Sequence, residues 1–121
     1  MRVIGAVGEV TIVVGDSDTA IAYGSGDVPV LATPRVLALA EQAAVAAIRE
    51  SLGNGLTSVG IHAEIHHVKA TPVGGRVTVR AELVAEEGRR LTFEFVVSDG
   101  GATAAHGTHR RVVVDRNRFT G

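Results

Sequence analysis

Residues 34–51 (PRVLALAEQAAVAAIRES) constrain this chain more than any other stretch. Arg35, Gln42 and Arg49 recur every seven residues there, and nearly everything else is Ala, Val, Leu or Ile. At the helical period the three polar residues fall on one narrow stripe, so most of the cylinder is apolar and has to be covered. The run opens on Thr33-Pro34, where threonine caps free amides and proline takes the first helical position. It closes near Gly53, a residue type suited to the left-handed terminating conformation. A mostly buried helix is therefore predicted over residues 34–51.

Past Gly53 the period changes from helical to two. Residues 57–70, 76–85, 91–98 and 102–115 alternate or run apolar and are rich in Val, Ile and Thr. Gly74-Gly75, Glu87-Gly88 and Asp99-Gly100-Gly101 separate them, the last two spaced as hairpin turns. Residues 8–14 (GEVTIVV) read as a further strand, with Val10, Ile12 and Val14 on one face. Between that strand and the helix, residues 15–32 are rich in Gly, Asp and Ser without a sustained period. They read as a long loop, and a loop of that length suits a cover over a site. One strand, a long helix and four more strands make an α+β domain in which a five-stranded antiparallel sheet wraps one long central helix.

At 121 residues, with 45% hydrophobic and 21% charged, the chain reads as one folded domain over residues 1–121. A formal net charge of −1 and 3% aromatic residues exclude the clustered basic field and stacking rings of a nucleic-acid surface. The absence of cysteine excludes disulfides, thiolate metal sites and a cysteine nucleophile, and suits a reducing, cytoplasmic location. No apolar run reaches the length of a membrane span, and the opening MRVIGAVGEV does not read as a signal peptide. GSGDVP at residues 24–29 lacks the spacing of a phosphate-binding loop, and there is no G-x-S-x-G elbow.

Three side chains stand out. Glu41 falls in the helical arc of Leu37, Ala44, Val45, Ile48 and Leu52, where a carboxylate has to be paired, protonated or set at a wet cavity that uses its proton affinity. The plain alternative is an ion pair with an arginine of the sheet or of a partner subunit. In VGIHAEIHHVKA, alternation puts Val59, Ile61, Ala63, Ile65 and His67 on one face and Gly60, His62, Glu64, His66 and Val68 on the other. His67 thus ends an apolar face, as a reactive imidazole or a merely hydrogen-bonded one. The opposite histidines and Glu64 read as a solvated stripe rather than a metal site. Thr33 is accounted for by helix capping, yet it also stands where helix-start amides attract negative charge.

These residues lie inside a wider likeness. VLATPRVLALAEQA, SVGIHAEIHHVKATPVGGRVTVRAEL, EGRRLTFEFVVSDG and HGTHRRVVV follow one another in order and spacing over residues 29–119. In this the chain resembles the fluoroacetyl-CoA thioesterase-like family of hotdog-fold proteins. The resemblance implies a catalytic Thr, Glu and His at Thr33, Glu41 and His67. It sets Gly60 beside the thioester, where a missing side chain lets the backbone come close. It also implies a homodimer, with a tetramer also compatible, whose pocket lies between subunits. The fluoroacetyl-specific member carries phenylalanines before the helix, and GSGDVPVLA has none, so selectivity for fluoroacetate does not carry over.

The resulting expectation is hydrolysis of a small or medium acyl-CoA thioester without metal or redox cofactor. Coenzyme A enters as part of the substrate, its phosphates met by arginines such as Arg76, Arg89 or Arg110. A non-catalytic acyl-CoA binding module and an enoyl-CoA hydratase or dehydratase are the alternatives.

Overall fold

The computed structural model describes residues 4–120. Five strands, β1 (Val7–Val13), β2 (Leu56–His67), β3 (Arg76–Glu87), β4 (Arg90–Asp99) and β5 (Ala102–Asp115), form one antiparallel sheet in the order β1-β3-β4-β5-β2. The sheet curls around a helix, α2 (Thr33–Ile48), as the sequence predicts. Two short helices, α1 (Ala20–Tyr23) and α3 (Arg116–Thr120), lie at its margins.

Val36, Leu39, Ala40, Ala43, Ala44 and Ile48 of α2 are fully buried against the sheet. Every second residue of β3 (Val77, Val79, Ala81, Leu83) and of β4 (Leu91, Phe93, Phe95, Val97) meets them. The helix is not covered all round, however. Leu37, Ala38, Glu41 and Val45 are only half-buried, which leaves a strip of mixed apolar and acidic character facing outward.

The helix ends differ from expectation in an informative way. The cap position is Ala32, no side chain caps the helix, and Thr33 is its first residue. The Thr33 hydroxyl is used elsewhere, as described below. At the other end the α-helix tightens into a 3₁₀ turn over Arg49–Ser51, and the left-handed glycine is Gly55 (φ 77°), not Gly53. Residues 15–32 are more than a loop. Asp16–Asp18 form a 3₁₀ turn, Thr19 Oγ1 accepts the Ala22 amide at 3.2 Å, and isolated bridges join Thr19 to Leu31 and Val30 to Pro72. Arg35 of α2 ties the segment down through Asp18 at 2.8 Å. Polar side chains that satisfy nearby backbone groups give this stretch order without a hydrophobic period.

β2 carries the second consequential departure. It ends at His67 rather than residue 70, because the Val68 and Lys69 amides both donate to the Ala104 carbonyl and turn the chain away. Within it, Gly60 pairs with Arg111 and His62 with Arg110, so Ile61 is a bulge. One extra residue reverses the alternation. Ser58 and Gly60 therefore share the helix-facing side with Ala63, Ile65 and His67, and Ile61 points outward, 48% exposed. The plain alternation had placed Gly60 opposite His67.

Gly8 of β1 lies directly under α2, where a methyl group would overlap the Ala43 carbonyl and the Ala47 amide. Helix backbone cannot yield as a flexible side chain can, so Gly8→Ala is expected to lower stability by about 1–3 kcal/mol. Equilibrium urea unfolding at fixed protein concentration measures this, and an unchanged midpoint would contradict the packing.

Candidate functional site

Two clusters of polar groups are strung along α2. The first is at its N-terminus. Proline at the second helical position and the turn from residue 32 bring Thr33 against the end of β2, and Thr33 Oγ1 hydrogen bonds His67 Nδ1 at 2.8 Å. His67 Nε2 is buried and has no partner. Burial lowers the affinity of this imidazole for a proton below its ordinary value, so the neutral ring is favoured at pH 7. Beside the pair opens a recess of about 310 Å³ walled by Ala20, Val30, Leu31, Ala32 and Val68. The segment before the helix thus forms one wall of the recess that His67 lines.

The second cluster lies two turns further along the helix. Glu41 Oε2 stands 2.5 Å from the point where a side-chain carbon on Gly60 would sit, so only glycine leaves the carboxylate this room. Arg111 of β5 reaches the same oxygen through Nη1 at 3.5 Å. Its guanidinium, 7% exposed, also donates from Nε to Ser58 Oγ at 2.9 Å and from Nη2 to the Ser58 carbonyl at 3.0 Å. His109 completes the set. Its Nδ1 lies 2.8 Å from the His62 carbonyl and its Nε2 3.2 Å from Arg111 Nη1. Burial pulls the proton affinity of Arg111 down and Glu41 opposes it, the sign expected of a desolvated cation kept beside a carboxylate. The plain expectation for Glu41, an ion pair with a sheet arginine, is realised here, yet its side chain remains 39% exposed.

The clusters do not merge within one chain. Thr33 and Glu41 are eight residues apart on one helix, about 12 Å at the usual rise. The Thr33, Glu41 and His67 set that the resemblance implies, with its pocket between subunits, is therefore not assembled inside a single copy. Of the remaining predicted residues, Gly60 stands against Glu41, whereas Arg76 is exposed at the start of β3 opposite Val13 and lines neither cluster.

Arg111 and His109 are the functional candidates that sequence reasoning passed over. Their signal was present: counting back by twos from the buried Val113 puts Arg111, His109 and Gly107 on the inward face of β5. Two polar residues in that phase mark a buried polar layer. On the outer face, Glu64 and His66 pair at 3.0 Å and His66 stacks on His106 at 5.1 Å, all exposed. Among the described residues no three such groups are arranged to hold a metal ion.

The comparisons bear on this geometry. The family model for FlK, fluoroacetyl-CoA-specific thioesterase, matches residues 14–117. A fluoroacetyl-CoA thioesterase of Streptantibioticus cattleyicolor is 40% identical over 90 residues, which span 74% of this chain and 65%, just under two thirds, of that protein. Among solved structures, an FlK variant in complex with acetyl-CoA superposes with a TM-score of 0.90 at 33% identity, covering 99% of this chain and 94% of that one. A thioesterase superfamily member from Thermus thermophilus gives 0.92 at 22% identity over 99% and 89%, a likeness of fold alone. With the family model covering most of its length, including Thr33, Glu41, Gly60, His67 and Arg111, the chain belongs to the FlK family of fluoroacetyl-CoA-specific thioesterases.

Proposed function

We propose that the chain hydrolyses the thioester of a small or medium acyl-CoA, in a cleft that a second copy completes. The observation that carries this reading is a division of labour along α2. At one end stands a hydroxyl-bound, neutral imidazole with a free Nε2; two turns away, a carboxylate held over a glycine by a buried arginine. Membership of a thioesterase family supplies the bond to be broken.

The free edge of β2 supports the second copy. Twelve residues of strand end the sheet on that side, and Ile61 and Val68 are exposed along it. An edge of that length is stable when another strand covers it. Antiparallel pairing with its own copy about a two-fold axis at Glu64 opposes residues of like face and, with the bulged Ile61 left unpaired, sets Gly60 opposite His67 of the partner subunit on the same face. Glu41 of one copy and the imidazole of the other then share one cleft.

In that cleft the Glu41 carboxylate attacks the thioester carbonyl or directs water onto it. When water attacks, the partner's His67, neutral and oriented by a threonine hydroxyl, takes its proton and passes it to the departing thiolate; when Glu41 attacks, the thiolate leaves first and the imidazole takes the proton of the water that then hydrolyses the anhydride, freeing the acid and Glu41. The Gly60 amide of one copy and the amides at the start of α2 in the other would receive the oxyanion. Arg89 and Arg110 remain candidates for the CoA phosphates; Arg76, apart from both clusters, has no role nearer the thioester than that.

A panel of acyl-CoA esters of graded length, assayed for liberated thiol, tests the reading. Glu41→Gln and His67→Ala are each expected to lower turnover by about 10²–10⁴-fold while the fold survives. Saturable binding with no thiol from any ester would make the chain a binder, and hydration of an enoyl ester without thiol release would make it a hydratase.

Mixing the two inactive variants tests the shared cleft. Random exchange leaves half the dimers mixed, each with one intact cleft in two, so activity should return to about one quarter of the unmodified level. No recovery, once exchange is verified, would place the whole machinery in one chain.

The pH profile follows from the burial of His67. Its lowered proton affinity keeps it a base as the medium acidifies, so kcat/KM should hold its plateau below pH 6.5, the ordinary imidazole value, and fall only beyond that. A limb centred above pH 7 would remove the neutral imidazole from the mechanism.

A further inference from the structure

We propose that His109 is a positioning residue, an imidazole held in a single tautomer that clamps the fork of Arg111 and thereby aims Glu41 over Gly60. The inference rests on the hydrolase reading of Glu41 but concerns a group that touches no substrate.

His109 lies on β5, 2% exposed, with the Phe93 ring of β4 flanking it at 6.2 Å between centroids. Its Nδ1 faces the His62 carbonyl of β2 at 2.8 Å, and a carbonyl only accepts, so Nδ1 carries the hydrogen. Nε2 is then a lone pair, and Arg111 Nη1, 3.2 Å away, donates to it. The other hydrogen of that nitrogen is turned toward Glu41 Oε2 at 3.5 Å, while Nε and Nη2 are taken by Ser58. Every nitrogen of a guanidinium nearly withdrawn from water thus has a fixed acceptor, and His109 is the acceptor that determines the turn of Nη1 toward the carboxylate.

The groups facing His109 are Arg111 on its own strand, Glu41 on α2, the His62 carbonyl on β2 and the Phe93 ring on β4. Protonation would set Nε2–H against the Arg111 N–H and add a second positive charge beside the first. Burial, reinforced by Arg111, lowers its proton affinity against the opposing His62 bond and Glu41. The ring therefore serves as a rigid two-ended spacer, a role different from that of His67.

Long-range nitrogen–proton NMR of the unmodified protein, with the His109 signals assigned by substitution, reads the tautomer directly. A hydrogen on Nδ1 that persists from pH 8 to pH 5.5 is expected; a hydrogen on Nε2, or titration within that range, would overturn the clamp. In the thiol-release assay, His109→Leu should lower kcat by about 10- to 100-fold with little change in KM, as misaiming of a reactive group does. His109→Gln, which keeps an acceptor for Arg111, should restore much of the loss. Equal losses in both variants, or none in the first, would count against the proposal. Should the unmodified protein release thiol from no ester, the hydrolase reading fails on its own. A crystal structure of His109→Leu then judges the clamp: displaced Arg111 and Glu41 side chains support it, unmoved ones refute it.

Discussion

Arg111 carries a full positive charge almost out of water, and the candidate site is organised around the cost of keeping it there. Withdrawing a guanidinium from solvent costs several kcal/mol unless each of its donors is met. Four of its five N–H donors are met here, two by Ser58, one by His109 and one by Glu41, drawn from β2, β5 and α2. A change in the placement of any of these elements leaves a buried donor without a partner. The charge pair therefore reinforces the tie between the helix and the far side of the sheet, where the contacts of α2, made chiefly with β1 and β3, are fewer.

The Ile61 bulge makes this arrangement geometrically available. Without the extra residue, Gly60 and Ser58 would point away from the helix, and Arg111 would lose the oxygens that hold its fork. With it, a residue lacking a side chain stands where the carboxylate needs space. A local irregularity of the strand thus shapes the candidate site, and it also puts Ile61 on the outer face, exposed beside the edge of the sheet.

The elements legible in the sequence were those fixed by periodicity. The all-apolar helix and the alternating strands followed from which residues must leave water, and Val77, Val79, Ala81 and Leu83 fall in the phase their spacing gives. The site was legible only in part. Glu41 and His67 were visible as polar residues in apolar phases, but the face of Gly60 was not, because one bulged residue inverts the parity of all that precede it. The position of Thr33 allows a cap. The imidazole offered a better partner, and the helix start was left to backbone and proline. His109 and Arg111 do not stand out because GTHRR puts polar residues on both faces of its strand, and only the apolar VVV after it fixes which of them point inward.

If the two clusters act on one thioester, as proposed, their spacing makes symmetry a chemical requirement. A straight helix cannot fold back to bring residue 33 to residue 41, and the sheet holds Gly60 and His67 as far apart as their places on one strand demand. Flexibility of either side chain does not bridge about 12 Å of helix. A two-fold axis does so at no cost in strain, since it sets each residue of an edge strand beside one equally far on the other side of the axis. Gly60 and His67 each lie three paired positions from Glu64 once the bulged Ile61 is left out, so a single axis there would answer both unmet conditions at once: the bare edge of β2 and the separation of acid from imidazole. Two such clefts would then form or vanish together with the association of the chains, linking catalytic competence to assembly rather than to the folding of either copy alone.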